Sequence, residues 1–447
     1  MGLTSAPTLA WQEAPGHRWA ALAVPAQGRT GFLRLRAATT GISFTNSLAD
    51  ARSLTNRNLL SGSGVALGDV DGDGWCDVYL CGLDADNKLF RNLGNWKFAD
   101  ITAEAGVACA GQDSTAAAFA DLEGDGDLDL LVNALGHGTR IFINNGRGRF
   151  HETTATAGVA ARTGSMSMTL ADVDGDGDLD LYVTNFRPTT ILDQPSTTYR
   201  VNYVNNRPVV VLVNGVPTTT PEFTNRFVVS PSGNVLELGE ADVLYLNDGQ
   251  GRFTAVSWTG GAFLDEDGRP LEEPPRDWGL HAQFYDFTGD GAPDLYVCND
   301  LFTPDRIWVN DGRGRFRALD RLALRCTSTF SMGVDFADID RDGDSDFFVV
   351  DMLSRDHVKQ LTQMPVTRPA RWPIGLIDNR PQMRRNTLQL NRGDGTFAEI
   401  SHFAGVEASE WSWGPIFLDV DLDGYEDILI TNGQLRDFQI NDMNQRL

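Results

Sequence analysis

The sequence predicts an all-β fold, specifically a β-propeller of six to seven four-stranded antiparallel blades. Three observations lead to this prediction. An acidic nine-residue segment occurs six times, a glycine-containing segment occurs five times between these copies, and short apolar runs flank both. Together they make a unit of about 51 residues, which is close to the length of one propeller blade.

The acidic segments follow the pattern Asp-x-Asp-x-Asp-Gly-x-x-Asp, and their residues are numbered here as positions 1 to 9. Positions 1, 5 and 9 are Asp in all six copies and position 6 is always Gly, whereas position 3 is Glu123 in the second copy and Thr288 in the fourth. Alternate residues of a tight loop direct several oxygens at one hard cation, and the glycine permits the turn. The pattern therefore predicts up to six calcium ions. Acidic surface turns without metal are the alternative.

Each segment resembles the first half of an EF-hand loop, in which position 7 contributes a backbone carbonyl, but Asp at position 9 replaces the Glu at position 12. Apolar runs follow the loops, so we expect a strand after each loop instead of a helix. The candidate ligands at positions 1, 3, 5, 7 and 9 are Asp69, Asp71, Asp73, Trp75 and Asp77; Asp121, Glu123, Asp125, Asp127 and Asp129; Asp172, Asp174, Asp176, Asp178 and Asp180; Asp286, Thr288, Asp290, Ala292 and Asp294; Asp338, Asp340, Asp342, Asp344 and Asp346; and Asp419, Asp421, Asp423, Tyr425 and Asp427.

The second segment reads Asn-x-Gly-x-x-x-Phe and lies between two short apolar runs. Glycine supplies the backbone angles of a tight turn, so this segment predicts a β-hairpin. Its five copies begin at Asn92, Asn144, Asn247, Asn310 and Asn391. The order within a unit is then strand, acidic loop, strand, connection, strand, hairpin and strand, which describes one antiparallel blade.

The repeats divide the chain into an N-terminal segment (1–40, partly strand), a propeller (41–432) and a polar C-terminal tail (433–447). Irregular spacing of the loops predicts insertions at about 187–240, 260–277 and 351–385, and the first is expected to add a β-hairpin. Residues 31–44 imitate the third and fourth strands of a unit, which the sixth unit lacks. Ring closure by both ends of the chain and a longer parent protein are the two alternatives.

The composition limits the classes of partner. A formal net charge of −24 and an isoelectric point near 4.5 argue against nucleic acid or an anionic membrane surface. The five cysteines are too few and odd in number for a disulfide framework. No run reaches the roughly 18 apolar residues of a membrane span, and residues 1–24 lack the features of a signal peptide.

Strand direction predicts that the acidic loops and hairpins share one face of the propeller and that the insertions lie on the opposite face. Five side chains near the start of the first strands are candidate ligand-binding residues on that opposite face, because aromatic rings by a central opening can stack on a ligand. These residues are Trp278, His281, Phe330, Trp411 and Trp413. The alternative is that the rings close the channel or pack between blades.

The alternation of these two segments resembles the FG-GAP/VCBS repeats of integrin α-subunit heads and of bacterial relatives of cartilage acidic protein. The resemblance covers residues 41–432 and implies a calcium-binding propeller, usually of seven blades, that is extracellular, on the cell surface or periplasmic. The matching ligands are positions 1, 3, 5 and 9 with the carbonyl of position 7. Thr288, the presence of six loops where seven blades are usual, and the lack of a visible secretion signal depart from the family pattern.

Three functions are compatible with this sequence. The first is a non-catalytic adhesion or recognition module for a protein or glycan. The second is a polysaccharide-active lyase or hydrolase that uses His281 with Arg384 or Arg385 on the insertion face, although the chain has no GxSxG elbow or P-loop. The third is a structural spacer in a larger surface protein. The repeats favour the first.

Overall fold

The computed structural model describes residues 12–15, 17–21, 31–160, 162–230, 233–301, 303–362 and 381–433 of the 447-residue chain. The fold of these residues is all-β, and their helices are short. The α-helices are Ala37–Thr40, Asp50–Thr55, Thr102–Ala105, His357–Thr362 and Ser401–Ala404, and the 3-10 helices are Arg57–Ser61 and Ile191–Asp193. In the described part of the chain, no helix has the length and apolar character needed to cross a membrane.

Five consecutive sheets have the antiparallel order that the repeat predicts, with four strands each in chain order. The strands of the first sheet are Val65–Gly68, Asp77–Leu80, Lys88–Asn92 and Phe98–Asp100; of the second, Ser114–Ala120, Asp129–Ala134, Gly138–Ile143 and His151–Glu152; of the third, Ser165–Ala171, Asp180–Asn185, Val243–Asn247 and Phe253–Ala255; of the fourth, Gly279–Tyr285, Asp294–Asn299, Arg306–Asn310 and Phe316–Ala318; and of the fifth, Gly333–Ala337, Asp346–Val350, Thr387–Asn391 and Phe397–Glu399. The fourth sheet gains a fifth strand, Phe263–Leu264, parallel to its outer edge.

A sixth sheet contains two strands, Ser412–Leu418 and Asp427–Asn432. The first strands of neighbouring sheets lie against one another in chain order from the first sheet to the sixth. This is the arrangement of blades in a β-propeller. The predicted all-β fold with four-stranded antiparallel sheets is confirmed, while the number of blades stays a prediction.

The core lies between consecutive sheets. Tyr79 and Leu89 of the first sheet, for example, pack with Leu130 and Phe142 of the second, and all four side chains are almost completely buried. Because both faces of an inner sheet are covered in this way, the second strands of the second to fifth sheets are buried at every residue. Burial of this apolar area is the main favourable contribution to the fold.

The first insertion contains the predicted hairpin. Its strands are Tyr199–Val204 and Arg207–Val213, and the turn residues Asn205 and Asn206 have φ angles of 50° and 62°. Positive φ at both central residues is the signature of the hairpin turn that suits strand twist, and Asn tolerates it. The remaining strands of this insertion are Val216–Pro217, Phe227–Val229 and Val235–Glu237.

The N-terminal segment is partly strand, but residues 31–44 differ from the prediction. Residues 31–44 form no strand and instead include the helix Ala37–Thr40, while Phe32 and Leu33 are exposed. Gln12–Ala14 and His17–Trp19 pair only with each other. An extended segment needs a neighbouring edge for its backbone hydrogen bonds, and no described sheet edge pairs with residues 31–44. Most of the predicted C-terminal tail, residues 434–447, lies outside the described residues.

Two more strand pieces tie the third insertion to the fold. Thr327–Ser328 pairs in parallel with Gln382–Met383, which follows the undescribed part of the insertion. These residues lie on the side of the sheets opposite the acidic loops. Residues 363–380 lie outside the described part of the chain.

A buried polar side chain just before the third strand joins the second and third strands in four of the five four-stranded sheets. Its Oδ1 accepts a backbone N–H from a residue at the end of the second strand or within two residues after it, over 2.7–2.9 Å. The residue is Asn87, Asp242, Asp305 or Asn386. In the first, third and fourth sheets it also bonds to a tyrosine hydroxyl of the second strand. Burial raises the pKa of Asp242 and of Asp305 to about 7.

We predict that Asp242→Asn reduces the pH dependence of stability. The folded-state pKa of about 7 is above the ordinary 3.8, so the folded chain holds this proton more tightly. The contribution of this proton to the stability of the folded chain is complete below pH 3.8 and is lost as the pH rises to about 7. An amide cannot ionise, and Asn87 already makes the equivalent bonds in the first sheet.

The measurement is the melting temperature at pH 5 and pH 8 in excess calcium, which keeps the acidic loops from titrating. We expect Asp242→Asn to lose fewer degrees than the wild type between the two pH values. The reverse substitution, Asn87→Asp, should add a loss over the same range. Identical pH profiles for all three proteins would show that Asp242 does not titrate there.

Candidate metal centres

The first Asp of each acidic loop organises the backbone of the loop. In the third loop, Asp172 Oδ1 accepts the N–H of Gly175 at 2.7 Å, and Oδ2 accepts the N–H of Gly177 at 3.0 Å. Gly177 at position 6 has a φ of 96°, a conformation that L-residues with a side chain rarely adopt. The glycine at position 6 therefore lets the chain turn around Asp172.

The Asp at position 9 joins the acidic loop to the following hairpin. Asp180 Oδ2 accepts the N–H of Val173, and Oδ1 accepts the N–H of Asn247, each at 3.0 Å. In the other four-stranded sheets, the position 9 carboxylate accepts the same two backbone N–H bonds, which are 2.7–3.1 Å long. These carboxylates are Asp77, Asp129, Asp294 and Asp346. All five carboxylates are buried. The sequence predicted position 9 as a ligand only; the fixed alternation of the two segments was the signal for this second role.

Carboxylate oxygens of positions 1, 3 and 9 lie within 4.8 Å of one another in four loops. These groups are Asp69, Asp71 and Asp77; Asp172, Asp174 and Asp180; Asp338, Asp340 and Asp346; and Asp419, Asp421 and Asp427. Calcium binds oxygens at about 2.3–2.6 Å, so two of its ligands lie up to about 5 Å apart. The spacing and the hard oxygen donors therefore fit a divalent cation.

The remaining predicted ligands are arranged differently. The position 5 carboxylate accepts the N–H of position 7 in all six loops, over 2.8–3.1 Å, and is not part of the converging groups. In the fourth loop the Thr288 hydroxyl donates to Asp294 at 3.0 Å. The second loop, with Glu123 at position 3, does not bring three carboxylates within the same distance among the described residues.

The loops concentrate negative charge where burial already disfavours it. Burial, with smaller contributions from neighbouring carboxylates, raises the pKa of Asp129, Asp180, Asp294 and Asp346 to about 6. A bound cation would favour the charged form and offset this repulsion. The electrostatics of the loops therefore agree with the geometry: these sites are suited to a metal ion.

Each of the first four loops is also bonded to the next sheet. The side-chain amide of the hairpin asparagine donates to the carbonyl of position 2 in the preceding loop: Asn144 to Val70 at 2.8 Å, Asn247 to Leu122 at 2.9 Å, and Asn310 to Val173 at 2.9 Å. The corresponding bond from Asn391 is longer, at 3.4 Å. A change in one loop is therefore transmitted to the neighbouring blade.

Four stretches of the chain match the FG-GAP-like repeat family: residues 69–132, 133–183, 286–349 and 377–430, about half of its length. The chain belongs to the FG-GAP-like repeat family. The resemblance read from the sequence is thereby confirmed.

Two cartilage acidic proteins are similar to one part of this FG-GAP-like repeat chain. Cartilage acidic protein 1 of Xenopus tropicalis is 30% identical over 94 residues, which is 20% of this chain and 14% of that protein. The Mus musculus protein is 30% identical over 95 residues, 21% of this chain and 15% of its own length. The chain thus matches only about one seventh of the length of these relatives.

One solved structure that aligns with this chain is that of a lectin of Agrocybe aegerita, whose subject is the recognition of non-reducing terminal N-acetylglucosamine. It aligns over 82% of this chain and 84% of its own, with 16% identity and a TM-score of 0.33. A likeness at this level says nothing about the ligand of the FG-GAP-like repeat chain.

On the opposite face, the exposure expected for Trp278 is not observed. Trp278 is only 2% exposed, its ring lies edge-on to Phe186 at 4.6 Å, and its Nε1–H donates to the carbonyl of Glu237 at 3.2 Å. Phe330, Trp411 and Trp413 are half-buried against the same apolar cluster. Trp278 therefore packs in the core, as the alternative interpretation states, because the first insertion covers it.

His281 lines a cavity of about 240 Å³ with Gln283, Asp335 and Trp413. Burial lowers the pKa of His281 to about 4, so the ring is neutral at pH 7, and its Nδ1 lies 3.4 Å from the hydroxyl of Ser167. Arg384 and Arg385 do not line this cavity. The acid and base set considered from the sequence is therefore not assembled here.

A larger cavity of about 410 Å³ lies between the rims of the second and third sheets on the acidic-loop side. Glu123, Arg149, His151 and Arg252 are among the residues that line it. Arg149 already forms an ion pair with Glu104 at 2.6 Å. The sequence offered no pattern for this cavity, because it forms between residues of two different repeats.

We predict that Asp174→Ala and Asp180→Ala have different effects on stability. Asp174 has no backbone bond between loop and hairpin, so its loss should weaken metal binding and lower the melting temperature only when calcium is present. Asp180→Ala also leaves two buried N–H groups without an acceptor, at a cost of about 2–6 kcal/mol. It should lower the melting temperature in chelator as well. Equal melting temperatures of the two variants in chelator would contradict the role of position 9 in joining the loop to the hairpin.

Gly177→Val tests the turn itself. A Cβ at this glycine would meet no atom within 4 Å, so the cost should come from the φ of 96° alone. We expect a loss of about 1–2 kcal/mol for a side chain in this left-handed region. Denaturant unfolding with and without calcium provides the measurement, and Gly177→Ala is the matched smaller substitution. A neutral result for both would mean that the loop can adopt another turn.

Proposed function

We propose that this chain is a non-catalytic, calcium-binding β-propeller that acts as an extracellular recognition module for a protein or glycan. The observation that carries the proposal is the convergence of the position 1, 3 and 9 carboxylates in four loops. In this proposal calcium has a structural role. It neutralises the carboxylates and holds each loop in the conformation that bonds to the next blade.

The insertion face supports a recognition role. The hairpin Tyr199–Val213 extends from the third sheet and exposes apolar side chains, with Tyr203 77% and Val204 50% exposed. Exposed apolar groups on an inserted loop are typical of protein interaction sites. A rigid propeller that presents such loops on one face is suited to binding a partner.

The first test is the calcium stoichiometry of the chelator-treated chain by calorimetry, with a thermal melt in calcium and in chelator. We expect four to six equivalents, because four loops have converging carboxylates and two have a weaker set. The melting temperature should rise strongly with calcium, since the ion binds the folded chain preferentially. Magnesium at the same concentration is the control. No uptake of calcium would refute the proposal.

The second test concerns the ligand and the enzyme alternative. The chain is presented with neutral and acidic polysaccharides, collagen and fibronectin, in calcium and in chelator, and both binding and product release are measured. Binding without turnover supports a recognition module. Turnover that is lost in His281→Ala would instead establish the polysaccharide-active enzyme.

A further inference from the structure

The outer strand of the first insertion has an open edge. Tyr199–Val204 lies at one side of a three-stranded sheet and, within the described residues, pairs only with Arg207–Val213. All six of its residues are exposed. The extra residue of the register shift, Val211, belongs to the second strand, so the outer strand itself carries no bulge. We call Tyr199–Val204 the insertion edge.

The hairpin turn determines which backbone groups of the insertion edge point outward. Val204 pairs with Arg207 across the two-residue turn, and Tyr203 pairs with Pro208, which has no N–H. Residues of an antiparallel pair alternate between hydrogen-bonded and non-hydrogen-bonded positions. The N–H and C=O groups of Val201 and Tyr203 therefore point away from the second strand. They form a row of donors and acceptors that is ready to pair with another strand.

The insertion edge has an apolar face. Tyr199, Val201 and Tyr203 alternate along the strand, so their side chains lie on the same side of the sheet. On this side the ring of Tyr199 meets Phe227 edge-on at 5.6 Å, and Phe227 packs against the buried apolar cluster of the insertion. The apolar face therefore continues this small core up to the open edge.

The opposite face is basic. It carries Arg200 and, across the strand pair from Val204, Arg207, and both are exposed. Arg226 of the same insertion forms an ion pair with Glu237 at 2.6 Å, whereas no ion pair among the described residues includes Arg200 or Arg207. Residues 194–221 contain these two arginines and no acidic residue, although the formal net charge of the chain is −24. The insertion edge is thus a locally basic strand on an acidic protein.

We propose that the insertion edge binds an extended acidic segment of a partner protein, which adds a strand to the sheet. This inference rests on the proposed recognition function and selects a protein as the partner. The backbone of the segment pairs with Val201 and Tyr203, and its apolar side chains continue the apolar face. Its acidic side chains alternate with the apolar ones and lie on the side of Arg200. The expected ligand is therefore a strand of alternating apolar and acidic residues.

Charge distinguishes an acidic segment from a second copy of this chain. Antiparallel pairing of two insertion edges would bring Arg200 and Arg207 of both copies onto one face of a small sheet. Residues 194–221 offer no acidic side chain to offset this charge, and like charges on neighbouring strands are destabilising. A saccharide has no peptide backbone that matches the spacing of Val201 and Tyr203. An acidic protein segment satisfies both the backbone and the charge.

The geometry makes the two faces of the bound strand unequal. Directly opposed residues of an antiparallel pair point to the same side of the sheet. The residues of the segment that bond to Val201 and Tyr203 are therefore its apolar ones, and the N–H groups of its acidic residues point outward. N-methylation of the apolar residues should abolish binding, while N-methylation of the acidic residues should be tolerated.

The experiment uses the full chain and labelled peptides of about eight residues, the length of a long strand. The peptides alternate valine or tyrosine with glutamate, and fluorescence anisotropy measures their binding. Peptides with lysine in place of glutamate test the charge, and the two N-methylated forms test the backbone. Sedimentation of the chain alone shows whether it forms a dimer.

Two variants of the chain test the same features. Val201→Pro removes an outward N–H, which an edge strand tolerates, and Val201→Thr is the matched control that keeps it. The double variant Arg200→Glu and Arg207→Glu reverses the local charge. Arg325→Glu, at an exposed arginine outside the insertion, is its control. Calcium stoichiometry and melting temperature are measured for each variant.

We expect an acidic peptide to bind at least about tenfold more tightly than its lysine counterpart and than the form N-methylated at the apolar residues. Val201→Pro and the double variant should each weaken binding at least about tenfold, and the two controls should leave it within about twofold. Calcium uptake should be the same in all variants. If Val201→Pro does not fold, the N-methylated peptides test the backbone pairing on the wild type.

Several results would overturn the proposal. These are the absence of binding by every acidic peptide, equal binding of acidic and lysine peptides, and equal binding of the two N-methylated forms. A wild-type dimer that Val201→Pro dissociates would also overturn it, because a second copy would then occupy the edge.

The design separates this proposal from the proposed function. Peptide binding without calcium uptake supports the insertion edge and refutes the metal-dependent module. Calcium uptake with glycan binding and without peptide binding overturns the insertion edge and leaves the recognition module standing.

Discussion

The structure depends on one buried carboxylate in each of the five four-stranded sheets, the Asp at position 9. In the third sheet, Asp180 accepts one N–H from its own acidic loop and one from the following hairpin, and both bonds are 3.0 Å long. A buried carboxylate without such partners would be costly. Loop and hairpin must therefore form together, and the two sequence signatures alternate because each satisfies the other.

This constraint extends from one sheet to the next. Asn247, whose backbone bonds to Asp180, also donates its side-chain amide to Leu122 of the preceding loop. The metal-binding geometry, the hairpin and the packing of neighbouring sheets thus share the same residues. Metal binding at one loop is expected to stabilise more than one blade, because the hydrogen bonds connect the loops to one another through the sheets. At the opposite end, Asn87 and Asp242 perform a comparable role in different sheets, one with an amide and one with a carboxyl group.

The repetition of the unit makes departures from it informative. Thr288 replaces a carboxylate and turns its hydroxyl to Asp294, so the fourth loop offers fewer charged ligands. Trp96 replaces a glycine and keeps the left-handed backbone of that glycine. The first departure is accommodated by a local hydrogen bond. The second lies where Gly148, Gly251 and Gly314 face the acidic loop of the preceding sheet, and no four-stranded sheet precedes the first one among the described residues.

The sequence by itself determined the strand order, the position of each acidic loop and hairpin, and the hairpin around Asn205, because these depend on residues close together in the chain. It also identified the carboxylates that converge at positions 1, 3 and 9. Only the tertiary structure decided that position 9 serves the hairpin, that Trp278 is buried under the first insertion, and that residues 31–44 lack a partner strand. These features depend on contacts between segments far apart in the sequence, which no local pattern specifies.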